Sequence, residues 1–192
     1  MAEFLELSVE PVSPMSQTQT WADFCEEAPT NLSLPNLELD KPGVATRLEI
    51  CVRLDFEDLL SFTAVDRQFE AQGVRFANAI ALRPSNTAYR SYSGDIVLMG
   101  APKEGYLEAL FLRPAQFVGG FITSSRRTVL TAFDGNDQAI ARIETPGANL
   151  ATANSAYPPN FPIHLSAANI HRVTFHAFDG QLTLDDFCFS LR

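Results

Sequence analysis

Tryptophan occurs once in these 192 residues, at Trp21, and cysteine three times, at Cys25, Cys51 and Cys188. Three scattered cysteines cannot make a disulfide framework, and the lack of a C-x-x-C pair argues against a structural zinc site. Cys51 and Cys188 read as two reduced core thiols, since free cysteine is commonly buried. Lys and Arg total only 14 against 23 Asp and Glu, a formal net charge of −9. That balance excludes a phosphate-backbone partner, whose affinity comes from basic residues. No stretch of 18 apolar residues exists to span a bilayer. The opening MAEFLELSVEP carries acids where a signal peptide needs basic residues and an apolar run. The expectation is a cytoplasmic or non-classically exported protein.

Catalytic signatures are equally scarce. There is no G-x-S-x-G, no H-E-x-x-H and no P-loop. The three histidines are His164, His171 and His176. His171 and His176 lie five apart, so on a strand they face opposite sides and make no local metal pair. The expectation is a protein that is not an enzyme.

What is present is apolar and short-ranged. Hydrophobic residues make up 46% of the chain, with 15 phenylalanines. Residues 1–45 hold Pro11, Pro14, Pro29, Pro35 and Pro42 and read as an extended arm. From residue 46 to 192 the rhythm changes to short apolar runs between turn residues, among them RLEICVRLDF, GYLEALFL, VGGFITSS, FPIHLSA and HRVTFHAF. DLLSFTAVDRQFEAQ reads as a loop or one short helix. DGND, residues 134–137, reads as a type I′ hairpin turn, and VGGF as a bulge or tight packing point. Nine or ten such strands predict an all-β antiparallel sandwich or barrel.

Two stretches put acids inside apolar strands: LDFEDL at 54–59 and LTLDDFCF at 182–189. Carboxylates near a core are costly unless paired or metal-bound. In LTLDDFCF the apolar phase flips between Leu184 and Phe187, which a bulge at Asp185–Asp186 explains. Either a cation joins the two stretches, or Arg53 or Arg192 pairs with the acids, or the acids are solvated.

The succession LDFED, F..QGVRF, VGGFIT, VLTAFDGND, I..VTF and LTLDDFCF resembles jelly-roll β-sandwich modules of the carbohydrate-binding, MAM and galactose-binding-like type, over about residues 48–190. The resemblance implies a jelly-roll sandwich and a structural calcium ion held by Glu57 and Asp58 of FED and by Asp185 and Asp186 of DDF. Calcium takes six to eight oxygens, many from carboxylates, and joining the two ends would couple metal binding to folding.

Ligand contacts fall on two loops, RPSNTAYRSYSG (83–94) and SAYPPNFP (155–162), because sandwich loops carry function more often than sheets. Tyr89, Arg90, Tyr92 and Tyr157 are the candidates. The expected function is a non-catalytic binding module for a glycan or protein partner. The alternative is a structural or assembly subunit, a homo-oligomer or larger, whose arm packs on a neighbouring chain.

Overall fold

The computed structural model describes residues 50–100, 105–152 and 155–191. The expected arm therefore lies outside the described residues. Ten strands follow in order: β1 (Ile50–Leu54), β2 (Thr63–Val65), β3 (Val74–Ala77), β4 (Ala79–Leu82), β5 (Val97–Gly100), β6 (Tyr106–Ser124), β7 (Val129–Phe133), β8 (Ala139–Glu144), β9 (Phe161–His176) and β10 (Leu182–Leu191). Every pairing is antiparallel. Among the described residues the helical segments are two 3-10 turns, Glu70–Gln72 and Thr87–Tyr89. The stretch 58–72 thus holds a short helical turn, as expected, and also strand β2.

Hydrogen bonding runs in the order β2-β4-β5-β10-β6-β9-β7-β8, with β1 also on β10 and β3 also on β6. Two long strands turn this ribbon into two layers. The register of β6 with β9 shifts between Leu110 and Ala115. Before the shift, β6 pairs with β3 and with the end of β9. After it, β6 pairs with β10 and with the start of β9. One layer therefore holds β2, β4, β5, β10, β1 and the first part of β9. The other holds β3, β7, β8 and the last part of β9. This is the expected all-β sandwich, and its first and last strands pair, as the jelly-roll reading requires.

The core lies between the layers. Phe187 of β10 meets Phe76 of β3 at 5.4 Å and Phe175 of β9 at 6.3 Å between ring centroids. Fully burying a side chain of this kind contributes roughly 1.5–3 kcal/mol, so the fully buried Phe56, Phe76, Phe175, Phe187 and Phe189 supply a large share of the driving force. Gly120 is a close-packing point: a Cβ there would come within 2.5 Å of Leu184 Cδ1.

The DGND hairpin is present, but the turn differs from the expectation. Asp137 alone of its residues has positive φ, at 60°, whereas a type I′ turn needs positive φ at both central residues. The loop is longer, closed by Asp134 N–H to Gln138 O at 3.0 Å, with a register shift beside it. The cysteine expectation also changes. Cys188 is a buried free thiol, but Cys51 sits on the face opposite the core and is disulfide-bonded.

Candidate functional site

The edge of β10 is shared by two partners. Thr183 and Leu184 pair with β5, and Phe187 to Leu191 pair with β1. Asp185 and Asp186 fall in the gap between those partners, where the register against β6 also slips. The expected bulge is there, with Asp186 at φ 47°, a conformation that Asp tolerates better than most residues.

The end of β1 arrives at the same place. Leu54 and Phe56 are core residues, and Phe56 takes φ 66° so that its ring packs edge-on against Phe69 and Phe76. That turn leaves Glu57 facing the segment before β5. Its Oε1 accepts the N–H groups of Asp95 at 3.0 Å and Ile96 at 2.9 Å. The same segment supplies both aspartates of β10. Asp185 Oδ2 accepts the N–H groups of Tyr92 at 2.7 Å and Ser93 at 3.1 Å, and its Oδ1 accepts the N–H of Asp186 at 2.8 Å. Asp186 accepts from Arg53 Nη2 at 2.7 Å, Arg53 Nε at 3.3 Å and Ser93 Oγ at 3.2 Å.

LDFED and LTLDDF therefore do meet, across residues 92–96. Of the four residues carried over as calcium ligands, Glu57, Asp185 and Asp186 reach this junction, while Asp58 is exposed. Those three do not present an open oxygen cage. Their oxygens are taken up by backbone N–H groups, a serine hydroxyl and a guanidinium. Among the described residues no three His, Cys, Asp or Glu side chains are grouped to hold a metal ion. As arranged, the junction is a clasp of carboxylates, backbone N–H groups, a serine hydroxyl and a guanidinium.

The electrostatics follow from burial. Asp186 has no exposed side-chain surface, and its partner Arg53 is half exposed. The hydrogen bond to Asp186 raises the Arg53 pKa. Burial pushes Asp185 up to about 6, outweighing the N–H donors of Ser93 and Tyr92, and the neighbouring Asp186 charge acts in the same direction. Gly94 makes the close approach feasible: it has φ 53°, and a Cβ there would lie 2.2 Å from Glu57 Cδ.

The outward side of the same segment forms a cleft of about 490 Å³, lined in part by Arg83, Asn86, Thr87, Arg90, Ser91 and Asp95. The first predicted ligand loop and Ala151 line this cleft; the second, residues 155–162, supplies no lining residue and touches the first through Asn160. Ala151 N–H donates to Ala88 O at 3.1 Å, and Asn160 Nδ2 donates to Ser91 O at 3.2 Å. Arg83 pairs with Asp95 at 2.9 Å. Arg90 lines the cleft, and Tyr89 closes the adjoining 3-10 turn. Tyr92 instead stacks on Phe121, 3.6 Å between centroids, over the outer face of the sheet. Tyr157 packs edge-on against Phe161 at 6.2 Å.

Sequence reasoning missed Phe62. It is 84% exposed, is held at φ 66° by its N–H bond to Ala81 O, and adjoins Ser61, whose Oγ accepts the Arg83 N–H. Within LLSFTAV it looks like any strand aromatic. Only the left-handed backbone turns it outward.

No protein-family model matches the chain, and no curated protein matches it. Solved structures similar to it include a DUF4465 family protein from Bacteroides caccae, at 13% identity and TM-score 0.49, covering 76% of this chain and 100% of that one. Another is TmCBM61 in complex with beta-1,4-galactotriose, at 11% identity and TM-score 0.32, covering 64% and 89% respectively. A third is the CBM22-1 xylan-binding domain from Paenibacillus barcinonensis Xyn10C, at 12% identity and TM-score 0.33, covering 69% and 92%.

Proposed function

We propose that this domain is a non-catalytic binding module that takes a glycan in the cleft lined by residues 83–95 and Ala151. The observation that carries the reading is the set of donors and acceptors of both kinds that the 83–95 segment gathers around one cleft. Arg83, Arg90, Asn86, Thr87, Ser91 and Asp95 line the cleft, a composition that suits a ligand dense in hydroxyl groups. Phe62, next to the Ser61 whose hydroxyl accepts the Arg83 N–H, offers an exposed ring outside the cleft lining, and stacking on such a ring would add apolar area to the polar contacts. Asp95 is the one carboxylate lining the cleft and is paired with Arg83. Glycoside hydrolysis requires two carboxylates flanking the bond, so the lining supports binding without cleavage.

The clasp has a role in this reading. Glu57 and Asp185 hold the backbone of residues 92, 93, 95 and 96, and Ser91 and Asp95 of the cleft flank that backbone. A cleft wall fixed before binding loses less entropy when the ligand arrives. Arg53 supplies the positive charge at the junction, and no metal enters the reading.

The test is a glycan array followed by calorimetry, with Arg90→Ala in the cleft and Phe62→Ala at the exposed ring near it as variants. Each is expected to weaken binding by roughly tenfold or more while melting like the parent. Absence of binding to every neutral and acidic saccharide by the folded protein would overturn the reading. The alternative, an assembly subunit whose N-terminal segment packs on a neighbouring chain, predicts a stable oligomer in size-exclusion chromatography and no saccharide complex.

A further inference from the structure

The path of hydrogen-bonded strands has two ends, β2 and β8. β2 is three residues long, and so short an edge resists pairing with another chain. β8 has six residues, Ala139–Glu144, with neither proline nor lysine among them. Among the described residues it pairs with β7 alone. One bond fixes where its free groups point. Thr145 N–H donates to Thr128 O at 2.9 Å, and hydrogen-bonded pairs alternate with non-hydrogen-bonded pairs along an antiparallel ladder. Ile143 therefore turns its N–H and C=O towards Leu130 of β7, and Arg142 and Glu144 turn theirs to the open side.

The side chains of this edge are also incompletely matched. Leu130 of β7 has no exposed surface, whereas Ile143, opposite it on the core-facing side, is only partly buried. On the outer face, Arg127 Nη1 donates to Glu144 Oε1 at 3.0 Å. Arg142 Nη2 lies 3.7 Å from the other oxygen of Glu144, and its side chain is 47% exposed. That separation is too long for a hydrogen bond. The edge thus carries a loosely held cation and an anion on either side of one half-covered apolar residue.

We propose that β8 is the contact surface between two copies of this chain, paired antiparallel about a two-fold axis at Ile143, with Arg142 of each copy opposite Glu144 of the other. The backbone allows this register, because residues that exchange hydrogen bonds must both point outward, and Arg142 and Glu144 do. The charges select it. Centring the axis on Arg142 or on Glu144 would set like charges directly opposite, which is unfavourable. Centring it on Ile143 sets opposite charges together twice. It also brings the two Ile143 side chains side by side on the core face, each supplying the neighbour that the other lacks. The strand is therefore complementary to itself, as a two-fold contact requires. Two strands of this length bury less than the ~1,600 Å² of a standard stable interface, so the dimer is a weak one that forms as concentration rises. The proposal stands whether or not the cleft takes a glycan.

The test is sedimentation equilibrium of the full chain from about 1 μM to about 1 mM. The parent is expected to pass from monomer to dimer within this range. Arg142→Glu and Glu144→Arg each set like charges opposite at two places across the axis, and each is expected to weaken the dimer roughly tenfold or more. The charge swap that combines them is expected to restore it. Arg142→Pro removes an N–H that faces solvent in the monomer, a position where an edge strand tolerates proline. It is expected to melt like the parent and to stay monomeric; if it does not fold, the charge series decides alone. A parent that remains monomeric at the highest concentration would overturn the proposal and leave the edge to a strand of different sequence. A dimer indifferent to these variants would overturn it in favour of another contact. A charge swap no better than the single reversals would overturn the register.

Discussion

Two acidic turns of this molecule use the same parts to different ends. In the β7–β8 hairpin, Asp134 Oδ1 accepts two backbone N–H groups, from Asn136 and Gln138. At the β10 bulge, Asp185 Oδ2 accepts two, from Tyr92 and Ser93. Each has a nearby aspartate with positive φ, Asp137 and Asp186, and each of those aspartates is paired with an arginine, Arg172 and Arg53. Yet the hairpin's N–H donors lower the Asp134 pKa, whereas burial raises that of Asp185 to about 6. The donors are alike and the solvent is not. Hydrogen bonds to a carboxylate favour its charged form, and loss of water disfavours it. At the bulge the second effect wins.

The comparison is broken most severely at Arg53. Arg53→Met removes the cation facing a carboxylate with no exposed surface, and we expect a loss of about 2–4 kcal/mol by chemical denaturation, since Arg53 is itself half exposed. Adding Asp186→Asn to that variant should recover part of the loss, a coupling that a double-mutant cycle measures. Additive losses would show that the pair is not the seat of the effect. Next in size is Gly94→Ala, which places a Cβ on Glu57 and a side chain at positive φ. We expect it to cost about 2 kcal/mol; unchanged stability would mean that the Glu57 contact gives way freely.

A third experiment sharpens the clasp reading. Thermal melting in excess calcium and in chelator should coincide, because the junction oxygens already have donors. A rise of several degrees in calcium would return the metal to this site. The fourth separates the two turns by pH. Asp185 titrates higher in the folded chain than in the unfolded one, so its contribution is fully present below about pH 4 and is lost as pH rises through about 6. Asp134 titrates lower when folded, so its contribution is present above the ordinary carboxylate range and is lost as pH falls below it. Asp185→Asn should therefore flatten the fall in stability between pH 4 and 6, and Asp134→Asn should leave that fall in place. The smallest effect belongs to Asp137→Ala, expected within about 1 kcal/mol because Asp137 is 79% exposed. A larger loss would show that exposure does not separate the two turns.

Sequence periodicity made the strands and the bulge legible, and the jelly-roll resemblance implied the meeting of the two acidic ends. It did not show that GYLEALFL and VGGFITSS are one strand, or that FPIHLSA and HRVTFHAF are another. Pro114 looks like a stop, but it falls where β6 changes pairing partner, between Leu110 and Ala115, so its missing N–H is tolerated there. Arg53 was legible as an alternative to a metal because charge type and strand position are both written in the sequence. The donors at Tyr92, Ser93, Asp95 and Ile96 were not, since a backbone N–H leaves no mark on residue identity.

The place of β10 in the sandwich also bears on how the chain acquires its structure. Arg53 and Asp186, which join the first strand to the last, are 133 residues apart. The strand that lies between β6 on one side and β1 and β5 on the other is also the last of the ten to leave the ribosome. Until it emerges, the edges of β1, β5 and β6 stay unpaired and Phe76, Phe111 and Phe175 lack the rings of β10. Such non-local closure is slow, and unpaired edges held open in the meantime invite aggregation. Synthesis of this protein would therefore place an unusual demand on whatever shields nascent strands in the cell.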